Sequence, residues 1–184
     1  MISQANNIVR VETGRMVLRE WRDEDFAALH ALCTCPRVMA TICPLHDEER
    51  THALLARLQE RQSRDGCTFW AMELRQDGRV IGFCGAGLGT VPQLERELEI
   101  GWRLAFDCWG QGYAREAALA TLGWLAQNRP GEEIWAITAR SSTRSQGLMK
   151  RLGMRYREGM DFEHPAVTDD SPLKPHVTYW LEHA

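Results

Sequence analysis

No stretch of this chain approaches the ~18 consecutive apolar residues of a membrane-spanning helix, so no membrane partner is expected. Basic charge is not in excess either: 22 Lys and Arg stand against 25 Asp and Glu, for a formal net charge of -3. A nucleic-acid partner requires a surface that neutralises phosphates, and none is expected here. There is no Gly-Lys-Ser/Thr of the phosphate-loop type, and no G-x-G-x-x-G leads from a strand into a helix. The two commonest nucleotide-binding motifs are thereby excluded. Repeats, low-complexity tracts and linkers are also missing, so residues 1–184 read as one domain, with 1–12 expected as a flexible N-terminal extension. Met1-Ile2-Ser3-Gln4-Ala5-Asn6-Asn7 lacks the charged and apolar regions of a signal peptide, which makes the cytoplasm the expected location. The six cysteines are then expected as thiols. Cys33, Cys35, Cys43 and His46 fit no standard zinc spacing, and no metal is expected.

What the chain does have is an ordered run of strand and helix signals. Met16–Trp21 alternates apolar and polar residues as a strand does. Acids at 23–25 suit the start of a helix over Phe26–Leu32, and Pro36 closes it or restarts a short turn. A second helix opens at Asp47 and ends at Asp65-Gly66, with Leu54, Leu55, Leu58 and Gln62 on one face. Cys67–Leu74 and Arg79–Leu88 read as a hairpin through Gln76-Asp77-Gly78. Gly82, Gly85, Gly87 and Gly89 in its return strand imply close backbone approach or a bulge. On the next strand, Arg96–Ala105, Leu98, Ile100 and Trp102 share one face; Glu97, Glu99, Gly101 and Arg103 share the other. A helix with a stripe at Ala114, Ala117, Ala118, Thr121, Leu122 and Leu125 follows. Ile134–Ala139 is then expected as a parallel neighbour with a right-handed crossover. A short helix over Ser142–Leu152, a strand over Met154–Glu158, a long loop holding Phe162–Pro165, and a final strand over His176–Leu181 complete the order.

The stretch from Leu104 to Glu116 carries the strongest chemical signal. A strand ends, Gly110 and Gly112 bend the backbone, and a helix begins. The free N–H groups and macrodipole at that helix start favour an anion without any charged side chain. A seat for a phosphate is the expectation, with donors from about Trp109 to Ala114.

Several ordered segments between Thr13 and Leu181 resemble the GNAT family of N-acetyltransferases, in particular its RimJ/RimL-like branch. Trp109-Gly110-Gln111-Gly112-Tyr113-Ala114-Arg115-Glu116-Ala117 resembles the family's acetyl-CoA pyrophosphate loop. Thr13–Arg19, Leu98–Leu104, Ser142–Met154 and the pair Phe162–Pro165 with His176–Tyr179 resemble other parts of the branch. The resemblance implies an α/β mixed sheet, mostly antiparallel, of about seven strands with about four helices and a splayed cleft for CoA. It implies direct acetyl transfer from acetyl-CoA, as co-substrate, to a primary amine on a peptide or a small molecule, by a monomer or a homodimer. Three positions depart from the family pattern. Asp107 replaces the Gln or Arg that opens the loop, Ser142 replaces an Asn, and Met149 stands near the place of the Tyr that protonates the leaving thiolate.

Within that resemblance, Leu104 and Phe106 are expected to offer main-chain groups to the pantetheine. Trp109, Gly110, Gln111, Gly112, Tyr113, Ala114 and Ser142 would hold the rest of the cofactor. Glu99 is the candidate general base, because a carboxylate facing a cleft loses solvent and its pKa rises into a useful range. The alternatives are that Glu95, Glu97 and Glu99 form one solvated face, or that Glu99 pairs with an arginine. Ser145 matches a family position near the thioester sulfur and is the candidate acid; its other reading is a first-turn hydroxyl bonded to backbone. Arg115, Arg144 and Lys150 are candidate phosphate contacts. His164 and His176 shape the acceptor end, act as base, or tie the long loop to the last strand, the last being the commoner role for such a histidine. A non-catalytic CoA-binding protein of the same fold is the competing reading, kept open by Met149.

Overall fold

The computed structural model describes residues 10–42 and 44–182. Among them nine strands form one sheet in the order β1-β2-β3-β4-β5-β6-β9-β7, with β8 pairing β9. The strands are β1 (Arg10–Glu12), β2 (Met16–Arg19), β3 (Phe69–Leu74), β4 (Val80–Leu88), β5 (Leu98–Leu104), β6 (Ile134–Ala139), β7 (Arg155–Tyr156), β8 (Phe162–Glu163) and β9 (Pro175–Leu181). Every pairing is antiparallel except β5 with β6. The helices are α1 (Phe26–Thr34), α2 (Pro36–Met39), α3 (Glu48–Asp65), α4 (Tyr113–Asn128) and α5 (Thr143–Arg151).

The mixed, mostly antiparallel sheet agrees with expectation; the element count runs higher. Residues 10–12, expected within a flexible extension, pair with β2 as an edge strand. Residues 1–9 and Cys43 lie outside the described residues. Phe162–Glu163, expected in a loop, pairs with His176 and Pro175 of β9. Pro36 starts a separate one-turn helix, because its ring fits a first helical position but not an interior one. Strand β2 stops at Arg19, before Trp21, whose indole N–H instead donates to the Phe69 carbonyl at 2.7 Å.

Helices cover both faces of the sheet. On one face Ala117, Ala118, Leu122 and Leu125 of α4 pack with Leu98 and Ile100 of β5 and with Trp70. The residues buried on α4 are Ala117, Ala118, Thr121, Leu122 and Leu125, the spacing of a helix stripe. On the other face Leu29 and Cys33 of α1 and Leu54, Leu55 and Leu58 of α3 cover Ala71 and Phe83. Asp47 caps α3 by accepting the Arg50 N–H at 2.8 Å, and Gly66 ends it with φ 73. A Cβ at Gly85 would lie 2.0 Å from the Thr68 carbonyl oxygen, so the β3–β4 approach admits only glycine there.

Candidate functional site

The cleft arises from how β5 and β6 are held. Strand β5 pairs with β4 over its whole length, and β6 pairs with β9 over its whole length. The two halves meet only at Leu98↔Ile134 and Glu99↔Trp135. Beyond that point the strands part, and the gap is an open cleft of about 1100 Å³. All of the candidate residues named from sequence line it except Gln111 and Lys150.

At one end the backbone turns through Gly110 (φ 76) and Gly112 (φ 83) into α4. Among the described residues the N–H groups of 110–115 find no carbonyl, as the start of a helix requires. The Trp109 N–H, expected as a donor to phosphate, is used instead by Phe106 O at 3.1 Å in a tight turn. The run of free N–H groups therefore begins one residue later than expected. Gln111 turns its side chain back to Asp107 O, at 2.8 Å, so only its main chain faces the turn's open side.

Arg15, from the start of β2, braces this turn. Its Nη1 donates to Gln111 O at 2.9 Å, its Nε to Glu116 Oε2 at 2.7 Å, and its guanidinium lies 4.2 Å from the Tyr113 ring centroid. Glu116 also accepts from Thr13 Oγ1 at 2.6 Å. The charge of Asp107, a departure from the family pattern, is met by Arg79 at 2.5 Å. The Arg79 contact first, outweighing the effect of burial, holds the Asp107 carboxyl below the usual range.

The open edge of β5 supplies main-chain groups. Ala105 N–H bonds Ile81 O across to β4, so by alternation Ile100, Trp102 and Leu104 aim theirs at the cleft. The Leu104 carbonyl is already taken, by the Trp109 indole N–H at 2.9 Å. Its N–H and the Trp102 peptide are what remain. Phe106, whose carbonyl closes the turn, presents a ring that stacks under the Arg37 guanidinium at 4.5 Å.

Glu99 sits where β5 and β6 part, on the cleft wall that faces α1 and α3. It is half-buried, while Glu95 and Glu97 are exposed. Among the described residues it has no hydrogen bond and no ion pair. Burial pushes its carboxyl up to about 7, with Arg61 pulling the other way. Of the three glutamates only Glu99 is drawn out of solvent, and among the described residues no arginine forms a salt bridge with it. Ser145 lines the cleft from α5 with its hydroxyl unbonded to any described residue, so it is not spent on the helix backbone. Ser142 is buried at the start of α5. Met149 is buried in the cleft wall.

His164 and His176 lie where the long loop meets the last strand. His164 N–H bonds Lys174 O at 2.9 Å, tying the loop to β9, and both rings line the cleft 4.7 Å apart. Burial first holds both imidazoles below their ordinary value. The Cys108 thiol is pushed up by burial and by Asp107, the opposite of an activated nucleophile. Arg115 and Arg144 line the cleft and Lys150 does not. Sequence reasoning missed Arg15, Arg79 and the Trp102 peptide. Only the alternation along β5 hinted at the last, and nothing local marked the other two. Among the described residues no group of three His, Cys, Asp or Glu side chains is gathered as for a metal.

A family model for the acetyltransferase (GNAT) domain matches residues 15–155. YkkB of Bacillus subtilis (strain 168) is 31% identical over 155 residues, covering 82% of this chain and 88% of its own. An acetyltransferase structure from Agrobacterium tumefaciens str. C58 superposes with a TM-score of 0.77 at 22% identity, over 96% of this chain and 95% of that one. A structure of RimL, the ribosomal L7/L12 alpha-N-protein acetyltransferase, in complex with coenzyme A superposes with a TM-score of 0.74 at 12% identity, over 95% and 98%.

Proposed function

The chain belongs to the GNAT acetyltransferase family, and from that premise we propose that it moves the acetyl group of acetyl-CoA directly to a primary amine, with Glu99 as general base. The observation that carries the reading is Glu99 itself: a carboxyl with no partner, at the fork of β5 and β6, held at about 7 by burial. A base poised near the working pH is both deprotonated often enough and basic enough to accept a proton. RimL, of the same fold, is described with coenzyme A bound, and it acts on a protein N-terminus. A protein N-terminus or a small amine is the acceptor here.

The cleft residues divide the work. The N–H groups of 110–115 and the positive end of α4 take the pyrophosphate. The free peptide groups of Trp102 and Leu104 hold the pantetheine as an added strand would be held. That alignment sets the thioester beside the fork, where the amine meets Glu99. Ser145 lines the same cleft from α5 and supports the departing sulfur. A thiol leaves readily, so a hydroxyl suffices where Met149 offers no proton.

Acetyl transfer measured over a panel of amines tests this. Glu99→Gln lowers kcat by about 10²–10⁴-fold with little change in KM for acetyl-CoA. The wild-type rate rises with pH through about 7, as Glu99 loses its proton, and the variant loses that limb. Tight CoA binding with no transfer to any amine would instead make the protein a CoA binder, the reading that Met149 favours.

A further inference from the structure

We propose that the acceptor amine carries an anionic group, a carboxylate or a phosphate, bound by Arg103 on the same cleft wall as Glu99, with Arg61 and Arg57 of α3 adding positive charge behind it. The inference rests on the acetyltransferase reading of the same cleft and specifies its acceptor half.

The odd-numbered residues of β5 face α1 and α3, and so Glu99, Gly101 and Arg103 stand in a row on that wall. Arg103 lines the cleft, whereas Arg61, half-buried, and Arg57, exposed, stand outside its lining. Its Nη1 reaches only the Cys33 sulfur, at 3.3 Å, a weak acceptor. Its Nε is buried with no partner, and its guanidinium lies 5.1 Å from the Phe83 ring centroid. Arg61 comes from α3. Its Nη1 is 3.5 Å from where a Cβ on Gly87 would be, and Gly87 is the cross-strand partner of Glu99. Arg57 precedes Arg61 by one turn of the same helix. Burial first, then Arg61 and Arg103, disfavours its charge. The same field reaches His46, held below its ordinary value by burial and then by Arg103, Arg50 and Arg57.

Some arginines of this molecule are paired closely and others, Arg37, Arg115 and Arg144 among them, have no salt bridge among the described residues; what sets Arg103 apart is its buried, unpartnered Nε. Arg15, Arg19, Arg79, Arg129 and Arg140 each have a carboxylate oxygen within 2.7 Å. Among the described residues Arg57, Arg61 and Arg103 have no salt bridge. Of the three, Arg61 acts electrostatically on Glu99, and no carboxylate pairs with Arg103 among the described residues. An unpaired guanidinium with a buried N–H is costly to leave unsatisfied. A carboxylate or phosphate matches its planar donors with two bonds at once. A polyamine would meet like charge at this wall. An amine with an attached anion satisfies both features: the amine goes to Glu99 and the anion to Arg103. Phe69, whose ring carbon would be 3.1 Å from a Cβ on Gly101, covers the row between them and gives the acceptor an aromatic surface to lie on.

The test compares acetyl transfer to amines that differ only in the anion. Phenylalanine is set against phenylalaninamide, and phosphoethanolamine against ethanolamine, with spermidine as the polycation. We expect kcat/KM to be at least tenfold higher for the anionic member of one pair, and the pair identifies carboxylate or phosphate. That preference falls to below threefold in Arg103→Gln, is partly kept in Arg103→Lys, and shrinks as salt is raised. KM for acetyl-CoA stays within twofold in both variants, which shows that they fold. Equal or better transfer to the neutral or polycationic amines overturns the inference and leaves the acetyltransferase reading standing. Transfer to no amine, with acetyl-CoA still bound, overturns both.

Discussion

Glu99 and Glu97 sit two residues apart on one chain face, and only the first is drawn out of solvent. Strand β6 makes the difference, because it joins β5 at Leu98 and Glu99 and then leaves, so Glu99 is covered without being paired. The arrangement costs stability. In the unfolded chain this carboxyl ionises near its ordinary 4.5, while in the fold it holds its proton to about 7. Below pH 4.5 both forms are neutral and nothing is lost. Between 4.5 and 7 the unfolded chain releases a proton that the folded one keeps, so stability falls as pH rises. Glu99→Gln therefore raises Tm at pH 8 and raises it less at pH 4.5. Thermal melts at the two values check this; an equal shift at both would remove burial as the cause. A variant that gains stability and loses transfer is what the proposed role of Glu99 requires. The candidacy of Glu99 was legible in the sequence as a carboxylate on a strand otherwise alternating with Leu98, Ile100 and Trp102. Its lack of a partner was not, since that depends on where Arg61 and Arg103 point.

The turn into α4 works as an element, by main-chain geometry. Gly112 has φ 83 just before the helix, where a side chain is strained and a β-branched one is an outlier. Gly112→Val costs about 1–3 kcal/mol of local strain. Because the turn can relax by swinging its N–H groups away, we expect CoA affinity to fall at least tenfold while far-UV circular dichroism is unchanged. Calorimetric titration of CoA measures it, and wild-type affinity would move the phosphate seat elsewhere. The glycine turn was readable in advance because two glycines before an apolar helix stripe leave few other conformations. Its brace was not. Arg15 N–H and Glu116 Oε1 meet at 3.0 Å across 101 residues of sequence. Similarly, Trp109 was read as a main-chain donor, but its N–H closes the turn and its indole occupies Leu104 O. Such contacts are decided by which side chains a fold brings near, and no local pattern encodes them.

At the scale of the whole molecule, one buried ion network joins the first strands to the first helix. Arg19 holds Asp25 through two bonds, of 2.7 and 2.9 Å, and Glu73 of β3 through a third, of 2.6 Å. Burial acts to raise the Asp25 carboxyl, but the Arg19 guanidinium and the Arg22 N–H outweigh it and hold it below its ordinary 3.8. Its contribution is thus fully present above pH 4 and is lost as pH falls through the folded value. Removing one partner of such a pair leaves a buried charge, so Asp25→Ala destabilises by about 3–5 kcal/mol. Urea unfolding at pH 7 measures this, and a change below 1 kcal/mol would mean the pair is solvated. The gap between variant and wild type narrows below pH 4. By itself the sequence determined the order of the main elements, the stripes of α3 and α4, the two faces of β5 and the glycine turn, because each follows from local periodicity and backbone sterics. Tertiary structure alone decided the edge strand at 10–12, the pairing of Phe162–Glu163 with β9, the braces on the turn, and the unpaired Arg103 on the cleft wall of Glu99. Those depend on contacts between residues far apart in the chain, and their free energy exists only once both partners are in place.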